Sequence, residues 1–183
     1  MTGRRQLGIV VAALAVVAAG LVIGSRLLHY ELAPVGVGSR APSFSAMTLD
    51  SPPRSRALSD YKGRVILINI WATWCAPCRI EMPSIEELHR AYAPRGLKVV
   101  AVSIDDPGTD ATIRDFVKQY RLSFEILHDP EKRIADIYQS AGYPVTVIIG
   151  RDGIIRKKIL GANDWNSGEN RALVERLLDE KGN

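Results

Sequence analysis

Residues 65–71, Val-Ile-Leu-Ile-Asn-Ile-Trp, form a nearly unbroken apolar, β-branched run, and Trp74-Cys75-Ala76-Pro77-Cys78 follows it with the only two cysteines of the chain. A strand without alternation is one that is covered on both faces, so the run predicts a central strand of a layered α/β sheet. Apolar residues at helical spacing after it (Ile80, Ile85, Leu88, Tyr92) predict a helix from Pro77 to about Tyr92, ended by Pro94 and Gly96. The cysteines therefore sit where strand hands over to helix. At i and i+3 on a first helical turn they lie about 5 to 6 Å apart at Cα, the span of a disulfide. Cys75, at the helix start, faces unpaired N–H groups and the positive end of the helix dipole. Both stabilise a thiolate, so Cys75 is the accessible, readily ionised nucleophile. Cys78, one turn further in, is the resolving thiol.

Other uses of two cysteines fit less well. A structural disulfide gains stability from closing a long loop, and this one closes three residues. A zinc site needs four ligands, and neither a second Cys-x-x-Cys nor a histidine at finger-like spacing completes it. Arg79 stands where a c-type haem attachment motif requires His.

Leu97–Ile104 reads as a second buried strand and Thr109–Tyr120 as an amphipathic helix with Ile113, Phe116 and Val117, completing a βαβ unit. Its parallel crossover puts the carboxyl end of the first strand, hence the cysteines, at a sheet edge open to ligands. Pro130–Tyr138 predicts a short helix and Pro144–Ile149 a strand. Arg151-Asp152-Gly153 turns that strand back on Ile154–Leu160 as an antiparallel hairpin. Gly168–Leu178 predicts a closing helix, and Ala41–Leu58, around Ser51-Pro52-Pro53, an additional hairpin.

Leu7–Gly24 is an apolar run of 18 residues, with Arg4 and Arg5 before it and Arg26 after. As a helix it rises about 27 Å, enough for a hydrocarbon core and longer than the apolar region of a cleaved signal. Residues 1–6 are expected on the cytoplasmic side by the positive-inside rule, 7–24 as a transmembrane signal-anchor, 25–40 as a tether, and 41–183 as the exported domain. A removed signal, with Ala18-Ala19-Gly20 as the small residues near the cut, is the alternative. Either way the domain is exported. Formal charge is +4, falling to +2 without Arg4 and Arg5, and the basic residues are interspersed with acidic ones. That argues against a nucleic-acid partner.

With βαβ, then a Pro-led ββα, and Trp-Cys-x-x-Cys at the first helix, residues 41–178 resemble thioredoxin. More narrowly, Trp74-Cys75-Ala76-Pro77-Cys78-Arg79-Ile80-Glu81-Met82-Pro83 resembles the membrane-tethered, exported thioredoxin-like proteins of bacteria, the ResA/TlpA type. The resemblance implies a thioredoxin-like fold with a central mixed sheet and an extra N-terminal β-hairpin, preceded by one transmembrane helix. It also implies a disulfide reductase on the extracytoplasmic side, needing no cofactor or metal. Its electrons would come from a membrane donor of the CcdA/DsbD type. Its clients would be exported disulfide-containing proteins such as apocytochrome c or copper-oxidase assembly proteins.

Several residues take roles in that light. Glu81, three after Cys78 and on the same helical face, can take or return that thiol's proton, and in this family type the matching Glu tunes the thiol pair. Asn69 interrupts the apolar strand where ordinary thioredoxins carry a buried acid; unable to accept a proton, it leaves that duty to Glu81. A buried amide needs partners, and neighbouring backbone is the simplest source. The resemblance makes Tyr143-Pro144 a cis bond facing the cysteines, beside which an extended client segment pairs. Trp71 and Trp74 flank the site, with Trp74 the better client contact, and Pro83 removes a backbone bond inside the first helix. The rival readings are a Cu(I) chaperone, with His128 or His89 as third ligand, and a thiol peroxidase. No motif surrounds either histidine, and Cys75 lacks the Pro, Thr and Arg pattern of peroxidatic sites. Oxidant and reductant would use the same residues and differ in reduction potential.

Overall fold

The computed structural model describes residues 2–32 and 34–180, which divide into two units, one ending at Pro34 and one beginning at Val35. The first is a single helix, α1 (Thr2–Leu32). Its segment Gln6–Ser25 has a mean hydropathy of 2.7 and exposed side chains, so it is long and apolar enough to cross a membrane. Of the expected cytoplasmic end, Met1 and the side chains of Arg4 and Arg5 lie outside the described residues, as do the side chains of Arg26 and His29 and the last residues, 181–183, of the expected domain.

The stretch 25–40, expected as a tether, is divided. Up to Leu32 it is helix, because Arg26-Leu27-Leu28 continues with helix-compatible residues and Ser25 turns its Oγ back on Val22 O, 2.9 Å away. From Val35 the chain is bound to the domain: Val35 N donates to Gln139 Oε1 (3.0 Å), Gly38 N to Ile155 O (2.9 Å), and Arg40 bridges Ile154. Ala33 lies outside the described residues.

In the second unit the strands are β1 (Ser45–Thr48), β2 (Ser55–Ala57), β3 (Val65–Trp71), β4 (Leu97–Ser103), β5 (Glu125–His128), β6 (Val145–Ile149) and β7 (Ile155–Leu160). They form one mixed sheet in the order β2-β1-β5-β4-β3-β6-β7. β3 pairs parallel with β4 and antiparallel with β6, and all seven of its residues are buried. Each large aliphatic side chain placed this way contributes about 1.5 to 3 kcal/mol by leaving water. The helices are α2 (Ala76–Tyr92), α3 (Asp110–Gln119), α4 (Arg133–Ile137) and α5 (Gly168–Asp179). α2 runs through Pro83 as one element.

β1 and β2 are the expected added hairpin, joined to the sheet through β5. β5 itself was not legible in the sequence: it has four residues, two of them Glu125 and His128. Pairing on both sides, with β4 and β1, makes it a strand. Three partners hold the Glu125 carboxylate: Arg56 Nε at 3.0 Å, Lys98 Nζ at 2.6 Å and Tyr61 Oη at 3.0 Å. The β6–β7 turn closes through Gly153 N to Gly150 O (2.9 Å) with Gly153 at φ 79°, the left-handed position that a three-residue hairpin loop reserves for glycine.

Candidate active site

The carboxyl end of β3 leads through Ala72-Thr73-Trp74 into α2. Buried Asp105, just beyond β4, fixes this turn by accepting from Thr73 N (3.0 Å), Thr73 Oγ1 (2.6 Å) and Ser103 Oγ (2.7 Å). Cys75 is the N-cap of α2, and Cys75 and Cys78 form a disulfide with Cα atoms 5.3 Å apart. Cys75 Sγ accepts from Cys78 N at 3.3 Å. That amide is one of the unpaired donors of a helix start, and it would equally stabilise a thiolate on Cys75. The first turn of α2 carries no acidic residue to offset it.

In this disulfide state Cys75 is less open than expected, at 5% exposure, while Cys78 has none. The difference keeps Cys75 as the outer sulfur. Next to it in the chain, Trp74 is 60% exposed, and Ala76 and Pro77 are exposed as well. Trp74 meets the half-buried Tyr143 edge to face, ring centres 6.2 Å apart. The Tyr143-Pro144 bond is cis, and because Val145 pairs with Ile70, Pro144 lies at the sheet edge where β3 releases the chain toward the cysteines. Trp71, by contrast, is fully buried and packs on Phe116, 4.7 Å between rings, so it belongs to the core.

Glu81, one turn after Cys78 on α2, is 1% exposed. Four neutral donors converge on its carboxylate. Asn69 Nδ2 reaches Oε1 at 2.7 Å, Trp165 Nε1 and Asn163 N reach Oε2 at 3.0 and 3.3 Å, and the Thr146 hydroxyl is the fourth. Burial pushes the carboxyl up from 4.5 to about 7, and the four donors pull the other way without cancelling it. A buried acid with proton affinity near neutrality is what proton exchange with a thiol requires.

Asn69 is satisfied by side chains, not by the neighbouring backbone the sequence suggested: Nδ2 also donates to Thr146 Oγ1 at 2.8 Å. Its Oδ1 has no partner among the described residues. An amide here can serve both states of Glu81. Its nitrogen donates to the carboxylate, and turned over its oxygen accepts from the carboxylic acid.

A family model, the AhpC/TSA family, matches residues 37–158, two thirds of the chain and both cysteines. The chain belongs to the AhpC/TSA family. The thiol-disulfide oxidoreductase ResA of Oceanobacillus iheyensis is 35% identical over 128 residues, which cover 69% of this chain and 66% of that protein. ResA of Geobacillus thermodenitrificans is 34% identical over 131 residues, covering 72% and 73%. Among solved structures, the DsbE-type thiol:disulfide interchange protein of Chlorobium tepidum superposes with a TM-score of 0.66 at 27% identity, covering 79% of this chain and 96% of that one. This AhpC/TSA member is thus a thioredoxin-like domain with the cysteine pair of a thiol-disulfide oxidoreductase.

The structure brings Cys75, Cys78, Trp74, Tyr143 and Pro144 to one end of the sheet, with Glu81 buried one turn further along α2. His128, considered as a copper ligand, lies in β5, with Nδ1 2.7 Å from Asp110 Oδ1 and Nε2 3.0 Å from Asp105 O. Sequence reasoning missed Trp165, Asn163 and Thr146. Thr146 was within reach, because a hydroxyl inside an apolar strand needs a partner as Asn69 does.

Proposed function

We propose that this protein is a disulfide reductase for exported clients, held to the membrane by α1 with residues 1–6 on the cytoplasmic side and the domain on the other. The observation that carries the reading is the Cys75–Cys78 disulfide at the start of α2 with Glu81, buried and holding its proton more tightly than a free carboxyl, one turn further along the same helix. In the reduced protein, Cys75 thiolate attacks a client disulfide, forming a mixed disulfide and releasing one client thiolate. Cys78 gives its proton to Glu81 carboxylate and attacks Cys75 Sγ, releasing the second client thiolate. The client gains two electrons as two thiolates, one of which takes up the proton returned by Glu81 and the other a proton from solvent, and the protein is left with the disulfide seen here. Trp74, Tyr143 and Pro144 receive the client segment.

A dithiol donor in the membrane, of the CcdA/DsbD type, restores the thiols. Apocytochrome c and copper-oxidase assembly proteins are the clients that the ResA/TlpA resemblance supports. Direction is tested by equilibrating the protein with glutathione. A potential at or below about −250 mV supports electron donation, whereas one near −120 mV, the range of strong oxidants, reverses the assignment.

A further inference from the structure

The segment between β7 and α5, residues 161–167, takes no part in the proposed exchange, yet it supplies two of the donors to Glu81. Trp165 is its centre and is fully buried. Its backbone N donates to Ser84 Oγ at 3.0 Å, and Ser84 Oγ in turn reaches Glu81 O at 2.8 Å, one helical turn along α2. Both ends of Trp165 are thus tied to the stretch of α2 that carries the acid. Packing alone does not call for this: the equally buried Trp71 leaves its Nε1 without a partner among the described residues. In Trp165 the indole N–H is aimed at a carboxylate oxygen.

We infer that Trp165 is a positioning residue for Glu81, its indole N–H setting how readily that carboxyl takes and returns the proton of Cys78. The inference rests on the role proposed for Glu81. A donor to the charged form favours that form, so losing it makes the carboxyl hold its proton more tightly. Few other groups compete for this role. β3 and β6 carry no titratable side chain, and the 161–167 segment has only Asp164, which is exposed. α2 adds Cys78 one turn before Glu81, the exposed Arg79, Glu87 and Arg90, the half-buried His89, and Glu86, which is bonded to Arg90 and Ser123.

The test is the infrared carbonyl band of protonated Glu81 in the full chain, with the disulfide intact, followed from pH 5 to 9 and assigned by its loss in Glu81→Gln. Trp165→Phe removes the N–H but shrinks a buried ring. Trp165→3-benzothienylalanine keeps the shape and removes only the donor, and carries the test if the first variant fails to fold. Both substitutions should raise the Glu81 midpoint by about one pH unit. The pH dependence of disulfide exchange should move with it, and should not move in the Glu81→Gln background. An unchanged midpoint in the isosteric variant, with normal titration in the parent, overturns the positioning role alone. A parent protein in which Glu81 shows no titration in this range overturns the Glu81 role and this inference together.

Discussion

Glu81→Gln should change how stability depends on pH, and the size of the change follows from the site. Glu81 binds its proton at about 7 in the fold and near 4.5 when unfolded. The gap corresponds to about 3 kcal/mol. Because folding raises the value, the contribution is fully present below pH 4.5, erodes as pH rises, and is lost once pH passes about 7. Gln resembles the protonated acid at every pH, and Asn69 can turn its amide to meet it, so the variant should lack this erosion. His89, whose value burial pushes down, contributes a slope of the opposite sign in both proteins. The difference between them is therefore the readout. Urea unfolding in detergent micelles, with the disulfide intact and followed by tryptophan fluorescence, suits the measurement, since Trp71, Trp74 and Trp165 all lie in the domain and none in α1. The variant-minus-parent stability should rise by about 3 kcal/mol between pH 4.5 and 8.5. A difference that stays flat within about 0.5 kcal/mol would refute the claim that the fold holds a proton on Glu81.

The rim of the site can be separated from its chemistry. Trp74→Ala removes a ring that is 60% exposed, so stability should change by less than about 1 kcal/mol, while reduction of a protein disulfide slows about tenfold and exchange with glutathione stays unchanged. Tyr143→Ala should show the same split, with a larger stability loss because the ring is half-buried. An equal slowing toward glutathione and protein would place these rings in the exchange chemistry instead of client docking.

The site was legible where its residues are close in sequence. Trp74 to Glu81 lie on one turn-to-helix segment, and spacing alone put the sulfurs within disulfide reach and Glu81 on the face of Cys78. The βαβ unit followed from apolar runs, the β6–β7 hairpin from the Asp152-Gly153 turn and the added hairpin from the short stretches around Ser51-Pro52-Pro53, while the mixed sheet as a whole was what the resemblance implied. What escaped depends on contacts between distant segments. Trp165 lies 84 positions from the acid it touches, in a segment whose composition reads as an ordinary loop. β5 is strand only because β4 and β1 flank it. The fate of residues 25–40 turned on bonds such as Lys158 Nζ to Val35 O, 2.8 Å, between segments 123 positions apart.

The most direct test of the central claim is covalent capture by each single-cysteine variant in turn. With Cys78→Ser, Cys75 should accumulate mixed disulfides with exported proteins, identified by mass spectrometry, whereas Cys75→Ser should capture almost none, because Cys78 is fully buried behind it. Equal capture by the two variants, or none by the first, would contradict the assignment of Cys75 as the attacking sulfur.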